Sequence, residues 1–76
     1  MSSEIAECVR RSLNRYFRDL EGEQPCAIYD MVLKNVERSM FEVVMKKANG
    51  NQTVAADMLG INRNTLRRKL TEYQLI

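Results

Sequence analysis

The stretch Gly50–Leu70, GNQTVAADMLGINRNTLRRKL, decides the reading of this chain: two short helical patterns are joined by a tight turn, and Arg63, Arg67, Arg68 and Lys69 all fall in the second. In the first, the spacing places Val54, Ala55, Met58 and Leu59 on one side, and Ala56 stands four residues before Gly60. Two helices crossing steeply need a small side chain at the contact and a residue tolerant of positive φ at the corner. Beyond the corner, Ile61 is an apolar plug for the gap between the helices and Asn62 is a good N-cap for the second helix. Leu66, Leu70 and Tyr73 then recur at i, i+4 and i+7, a single apolar stripe at about 100° per residue. Arg63, Asn64, Arg67, Arg68 and Thr71 point away from that stripe or flank it. The pattern is a helix-turn-helix whose second helix, basic on its outer face, suits a DNA major groove. A basic helix face standing alone is usually only solvated. Here the caps, the corner, the plug and the confinement of charge to the second helix agree with one another.

Composition bounds what surrounds the motif. Seventy-six residues with one proline and three glycines make one small domain, 1–76, and 45% hydrophobic content in so short a chain argues for a partner. The formal charge of +2 looks weak for a nucleic-acid binder until it is divided: residues 1–45 carry six basic and eight acidic side chains, net −2, and residues 46–76 carry six and two, net +4. An acidic end and a basic end suit a scaffold that keeps its distance from phosphate and a tip that seeks it. Cys8 and Cys26 lie eighteen apart with no histidine in the chain, which excludes the usual zinc-finger and CxxC readings and leaves two ordinary thiols in a reducing compartment. No apolar run approaches ~20 residues and no basic-then-apolar leader opens the chain, so the expected location is cytoplasmic, with no membrane span. Catalysis would rest on carboxylates such as Asp30, Glu37 and Glu42, which read as solvated helix-face residues; no enzyme activity, metal or cofactor is expected.

The amino-terminal half reads as two further helices. Ser2 or Ser3 can cap a first helix whose Ile5, Val9, Leu13, Tyr16, Phe17 and Leu20 keep to one face, and Gly22 offers the left-handed residue that stops it. Arg10, Arg11, Asn14, Arg15 and Arg18 lie off the stripe and read as a solvated face. Pro25 suits the first turn of a second helix running from about Cys26 to Lys47. Its apolar residues, from Ile28 to Met45, cover more than half the circumference, and a helix apolar on several sides is buried on several sides. The economical cover is a second copy. The fold class is therefore all-α: four helices per chain, the first two of each chain forming an intertwined homodimer core (1–47), with a carboxy-terminal helix-turn-helix (50–76).

GNQT, AADMLGINRNTLRRKL and the helix pattern before them resemble the Fis family, bacterial nucleoid-associated and recombination-stimulating proteins whose carboxy-terminal half is also similar to the DNA-binding domain of NtrC-type activators. The similarity runs from about Ile5 to the end and is densest from Gly50 to Tyr73. It implies a homodimer that binds and bends double-stranded DNA with few base contacts. By resemblance, Asn62 and Arg63 match the pair that reaches base edges, and arginine at a helix start can bond guanine O6 and N7 bidentately. Asn51 and Thr53, and then Thr65, Arg67, Arg68 and Lys69, match backbone-phosphate contacts.

Four departures from the family pattern stand out. Ser39 replaces a proline common in the middle of the long helix, so a kink there is not expected. Thr71 and Glu72 replace two lysines at the end of the recognition helix, which should weaken phosphate affinity. The chain starts at the first helix, without the β-hairpin arm that contacts DNA invertases, so invertase stimulation is not expected. The resemblance also implies an RNA polymerase alpha-subunit contact at Lys46, Asn49, Gly50 and Gln52, where the family's arginine is Asn49 here. The alternatives to a nucleoid-type DNA binder are a helical dimeric protein-docking module and a detached domain of an NtrC-type activator.

Overall fold

A computed structural model describes residues 3–76 as four helices: α1 (Ser3–Leu20), α2 (Ile28–Lys47), α3 (Gln52–Leu59) and α4 (Arg63–Glu72), with no strand among the described residues. The all-helical expectation and its four elements hold. Three of the helices end in the same way. After α2, Gly50 N–H donates to the Met45 carbonyl and Asn49 N–H to that of Lys46; after α3, Ile61 donates to Ala56 and Gly60 to Asp57; after α4, Leu75 donates to Leu70 and Gln74 to Thr71. Each pairing is a Schellman motif, which needs one left-handed residue to satisfy the last carbonyls. Asn49 (φ 56°), Gly60 (φ 73°) and Gln74 (φ 58°) supply it.

Both ends of the connection before α2 differ in detail from the sequence reading. The first helix stops as expected, with Gly22 at φ 87°, but Glu21 at φ 52° shares the left-handed turn. α1 begins at Ser3, so that serine is inside the helix; Ser2, the other candidate cap, lies outside the described residues. The second helix begins at Ile28, two residues later than expected, and Pro25 is not in its first turn. Ala27 is the reason: its left-handed backbone (φ 54°) breaks the chain direction between Pro25 and the helix, and its methyl side chain makes no capping bond.

The core lies entirely in the second half. Among the described residues Phe41, Ala48, Ala55, Ala56, Leu66, Leu70 and Tyr73 are the buried hydrophobic ones, with Val44, Met45, Leu59, Ile61 and Leu75 packed around them. The stripe Leu66, Leu70, Tyr73 and the plug Ile61 take the places the sequence assigned them. α3 does not: its buried residues are Ala55 and Ala56, with Leu59 partly covered, while Val54 and Met58 are 43% and 52% exposed. The short helix packs against both α2 and α4, and methyl side chains let it approach them closely. Val54 and Met58, one turn apart, form a separate edge about 60–160° round from the alanines.

Helices α1 and the first half of α2 are different. No residue of α1 is buried, and Phe41 is the buried residue of α2. Tyr29, Leu33, Val36, Met40 and Val43 are all more than a third exposed. Their spacing alternates four and three, the seam of a helix that packs on another. The radius of gyration is 15.0 Å, against about 11 Å for a closed domain of this length. The amino-terminal helices extend from the core.

Candidate nucleic-acid interface

Two asparagines organise the tip. Asn51, in extended backbone before α3, accepts the Val54 N–H at 3.1 Å, and Asn62, likewise extended before α4, accepts the Asn64 N–H at 2.7 Å. Each satisfies one amide that the helix start leaves without a carbonyl. The N-cap read for Asn62 is present. The two helix starts also meet: Arg63 Nη1 donates to Thr53 Oγ1 at 3.4 Å, so Asn51, Thr53, Asn62 and Arg63 share one edge of the molecule.

The outer face of α4 follows from its periodicity. With Leu66, Leu70 and Tyr73 turned to the core, Asn64, Arg68 and Thr71 lie opposite, Arg63 and Arg67 flank the stripe on the α3 side, and Thr65 and Lys69 flank it on the other. Arg63, Asn64, Arg67, Arg68, Thr71 and Glu72 are exposed, and Thr65 and Lys69 are half-buried. Among the described residues the ion pairs are Arg38 with Glu42 and Lys69 with Glu37, so Arg63, Arg67 and Arg68 stand without a carboxylate partner. Thr71 Oγ1 donates back to the Arg67 carbonyl at 3.0 Å and is spent within its own helix.

Lys69 is separated from the other basic residues of the recognition helix. Its ammonium lies 3.4 Å from Glu37 Oε1 on α2, away from the outer face. The same carboxylate oxygen accepts the Tyr73 hydroxyl at 2.6 Å, and Arg38 Nη1 donates to the Tyr73 carbonyl at 2.9 Å. The Tyr73 hydrogen bond, ahead of the opposing effect of burial and with help from Lys69, holds the Glu37 carboxyl below the usual carboxylate range. In return, that bond and burial push the Tyr73 phenol up to about 12. Glu37 is therefore not the solvated helix-face residue the sequence suggested. Its partners lie 32 and 36 positions away, so no local spacing could have revealed it. Asp30 and Glu42 are exposed, as read.

No cluster of three or more metal-binding side chains occurs among the described residues, and Cys8 and Cys26 are free, exposed thiols. No described helix is long and apolar enough to cross a membrane.

A family model described as "Bacterial regulatory protein, Fis family" matches residues 32–73, which takes in most of α2, both short helices and the Glu37, Lys69 and Tyr73 contacts between them. The chain belongs to the Fis family. It is 56% identical over 72 residues to a putative Fis-like DNA-binding protein of Ralstonia nicotianae, covering 95% of this chain and 94% of the relative. It is 49% identical over 73 residues to a putative Fis-like DNA-binding protein of Neisseria meningitidis serogroup B, covering 96% and 92%. With the DNA-binding protein Fis of Glaesserella parasuis it shares 46% identity over 69 residues, 91% of this chain and 70% of that protein. Fis-family membership places the chain among regulatory proteins and not among enzymes.

Proposed function

We propose that this Fis-family chain is a homodimer that binds and bends double-stranded DNA with loose sequence preference, organising the chromosome in the cytoplasm and modulating transcription or recombination. The observation that carries the reading is the row of unpaired arginines, Arg63, Arg67 and Arg68, exposed on α4 beside the start of α3. Arg63 with Asn62 reads base edges from the first turn of the helix. Asn51, Thr53, Thr65, Arg67 and Arg68 bind phosphate around it. Lys69, matched to a phosphate contact by resemblance, is committed to Glu37 and contributes less than its neighbours.

The second copy comes from α2. Tyr29, Leu33, Val36, Met40 and Val43 form an apolar seam too long to leave in water, and a groove of about 430 Å³ between α1 and α2, lined by Val9, Leu13, Met31 and Val32 among others, gives a partner helix a place to lie. Bending follows from the family resemblance, which sets two recognition helices closer together than the ~34 Å repeat of straight DNA. The docking-module alternative has less support: at the polymerase-contact turn, Asn49 stands for the family's arginine and is held in a left-handed helix cap.

The test is the salt dependence of DNA binding by the intact chain, with the dimer confirmed by sedimentation equilibrium. The two phosphate-binding arginines, Arg67 and Arg68, in each of two subunits give a slope of log K against log salt of about −4. A slope near zero would mean that the basic face serves a different ligand.

A further inference from the structure

Groove recognition leaves one polar assembly unexplained, the clasp that one turn of α2 closes on the last turn of α4. Glu37 takes the Tyr73 hydroxyl at 2.6 Å and the Lys69 ammonium at 3.4 Å; Arg38 takes the Tyr73 carbonyl at 2.9 Å; the Phe41 and Tyr73 rings meet at 6.1 Å between centroids. Close backbone packing runs from α2 to α3 and from α3 to α4, so it is side chains that tie α4 directly to α2. Ring packing alone tolerates rotation. A hydroxyl-to-carboxylate bond at 2.6 Å is short, charge-assisted and directional, and the Arg38 bond secures the carbonyl end of the same helix. Glu37 and Arg38 also lie between Val36 and Met40 of the exposed seam, so the same turn of α2 faces the dimer partner and grips the recognition helix.

Resting on the dimeric, DNA-bending reading above, we propose that Glu37 and Arg38 are positioning residues for bending: by clamping Tyr73 and Lys69 they fix the angle of α4 on α2, and hence the curvature two recognition helices impose on one duplex. A dimer with rigidly set recognition helices prefers DNA already curved, because the duplex then needs little further deformation. A dimer whose recognition helices swivel accommodates linear DNA and loses that preference. The lowered Glu37 carboxyl and raised Tyr73 phenol agree with a clasp closed across neutral pH. Because the folded Tyr73 value is raised, its contribution to stability is complete below about 10 and lost as pH rises towards about 12.

The experiment compares binding of the full chain to one sequence as a small covalently closed circle and as a linear fragment, for wild type, Glu37→Ala, Arg38→Ala and Tyr73→Phe. Sedimentation and far-ultraviolet circular dichroism serve as controls. The circle-to-linear affinity ratio is expected to fall about tenfold in Glu37→Ala, the scale of one hydrogen bond to a charged group, and in the same direction in the other two. General destabilisation weakens both substrates alike and leaves the ratio where it was. An unchanged ratio in Tyr73→Phe and Glu37→Ala, with wild type preferring the circle, would overturn the positioning role while leaving bending intact. No preference in wild type would overturn bending and the positioning role together. Alkaline titration by tyrosine absorbance gives an independent check: the Tyr73 transition should move from near 12 towards 10 in Glu37→Ala, and an immobile transition would remove the contact on which the clasp depends.

Discussion

Residues 41–76 and residues 3–40 of this chain are built to opposite plans. The first stretch contains every buried hydrophobic side chain among the described residues, two asparagine N-caps and three left-handed helix endings, and it closes a core around Leu66 and Leu70 within about thirty-five residues. The second is α1 and the first part of α2, with no buried residue and with Ile5 at 70% and Tyr29 at 76% exposure. The sequences are similarly apolar, but their solvents differ. A short segment that turns back on itself covers its own apolar face, whereas a straight helix of 18 or 20 residues cannot, and must find cover in another chain.

Val36→Asp attacks that difference most directly. If the seam is an interface, the charge is buried without a partner and costs several kcal/mol, roughly 3 to 5, so sedimentation at micromolar concentration should show monomer and circular dichroism a loss of helix. A variant that remains a folded dimer would show that the exposed half is closed in some other way. Leu66→Ala probes the opposite region. Leu66 is fully buried, and its truncation should cost about 3 kcal/mol, within the usual 2 to 5 for such sites. Its effect should be confined to the tip: thermal unfolding should lose an early, small transition while the dimer mass persists. Joint collapse of both regions would mean that they fold as one cooperative unit.

The helix-turn-helix was legible because its information is local. Ala56 and Gly60 are four apart, Asn62 precedes its helix by one residue, and Leu66, Leu70 and Tyr73 follow a single period, so each could be read inside a short window. The start of α2 is less legible because Pro25 is a permissive signal, and the left-handed turn at Ala27 that overrides it has no residue signature. The spacing groups Val54 and Met58 on one side with Ala55 and Leu59, but close helix approach favours the two alanines and leaves Val54 and Met58 exposed. The Glu37–Tyr73–Lys69 clasp was beyond reach for a different reason. Tyr73 completes an apolar stripe and Glu37 resembles any solvated glutamate; their meeting depends on the crossing of helices whose angle no sequence window contains.

Within the tip, Arg63 and Arg68 should be separable by what each variant loses. Arg63 stands at the first position of α4 against Thr53, where its guanidinium can enter a groove, so Arg63→Ala should cost about 1 to 3 kcal/mol on a preferred site and little on random DNA. Arg68 lies on the outer face, and its removal should weaken both alike and flatten the salt slope by about 0.9 per lost contact. Competition binding with a preferred and a scrambled duplex measures both. Equal losses for Arg63→Ala would move it from base reading to phosphate binding.

The smallest effect tests how far along α4 the duplex reaches. Thr71 and Glu72 occupy the end of the helix, where the family pattern is basic; Thr71 spends its hydroxyl on the Arg67 carbonyl, and Glu72 is exposed one turn beyond Arg68. A negative charge there repels a passing phosphate and partly neutralises the arginine nearest it. The double change Thr71→Lys and Glu72→Lys removes one repulsion and adds two attractions per subunit, while losing only a backbone-directed hydrogen bond that helices dispense with readily. Affinity should rise by a similar factor for every sequence, because phosphates carry no sequence information, and preference among sites should stay where it was. Titrations at three salt concentrations should show the slope steepening by about 0.9 for each lysine that meets a phosphate. An unchanged slope would place the duplex short of Thr71. Recognition would then be confined to the two helix starts with Arg67 and Arg68, leaving the end of α4 to the clasp on α2 alone.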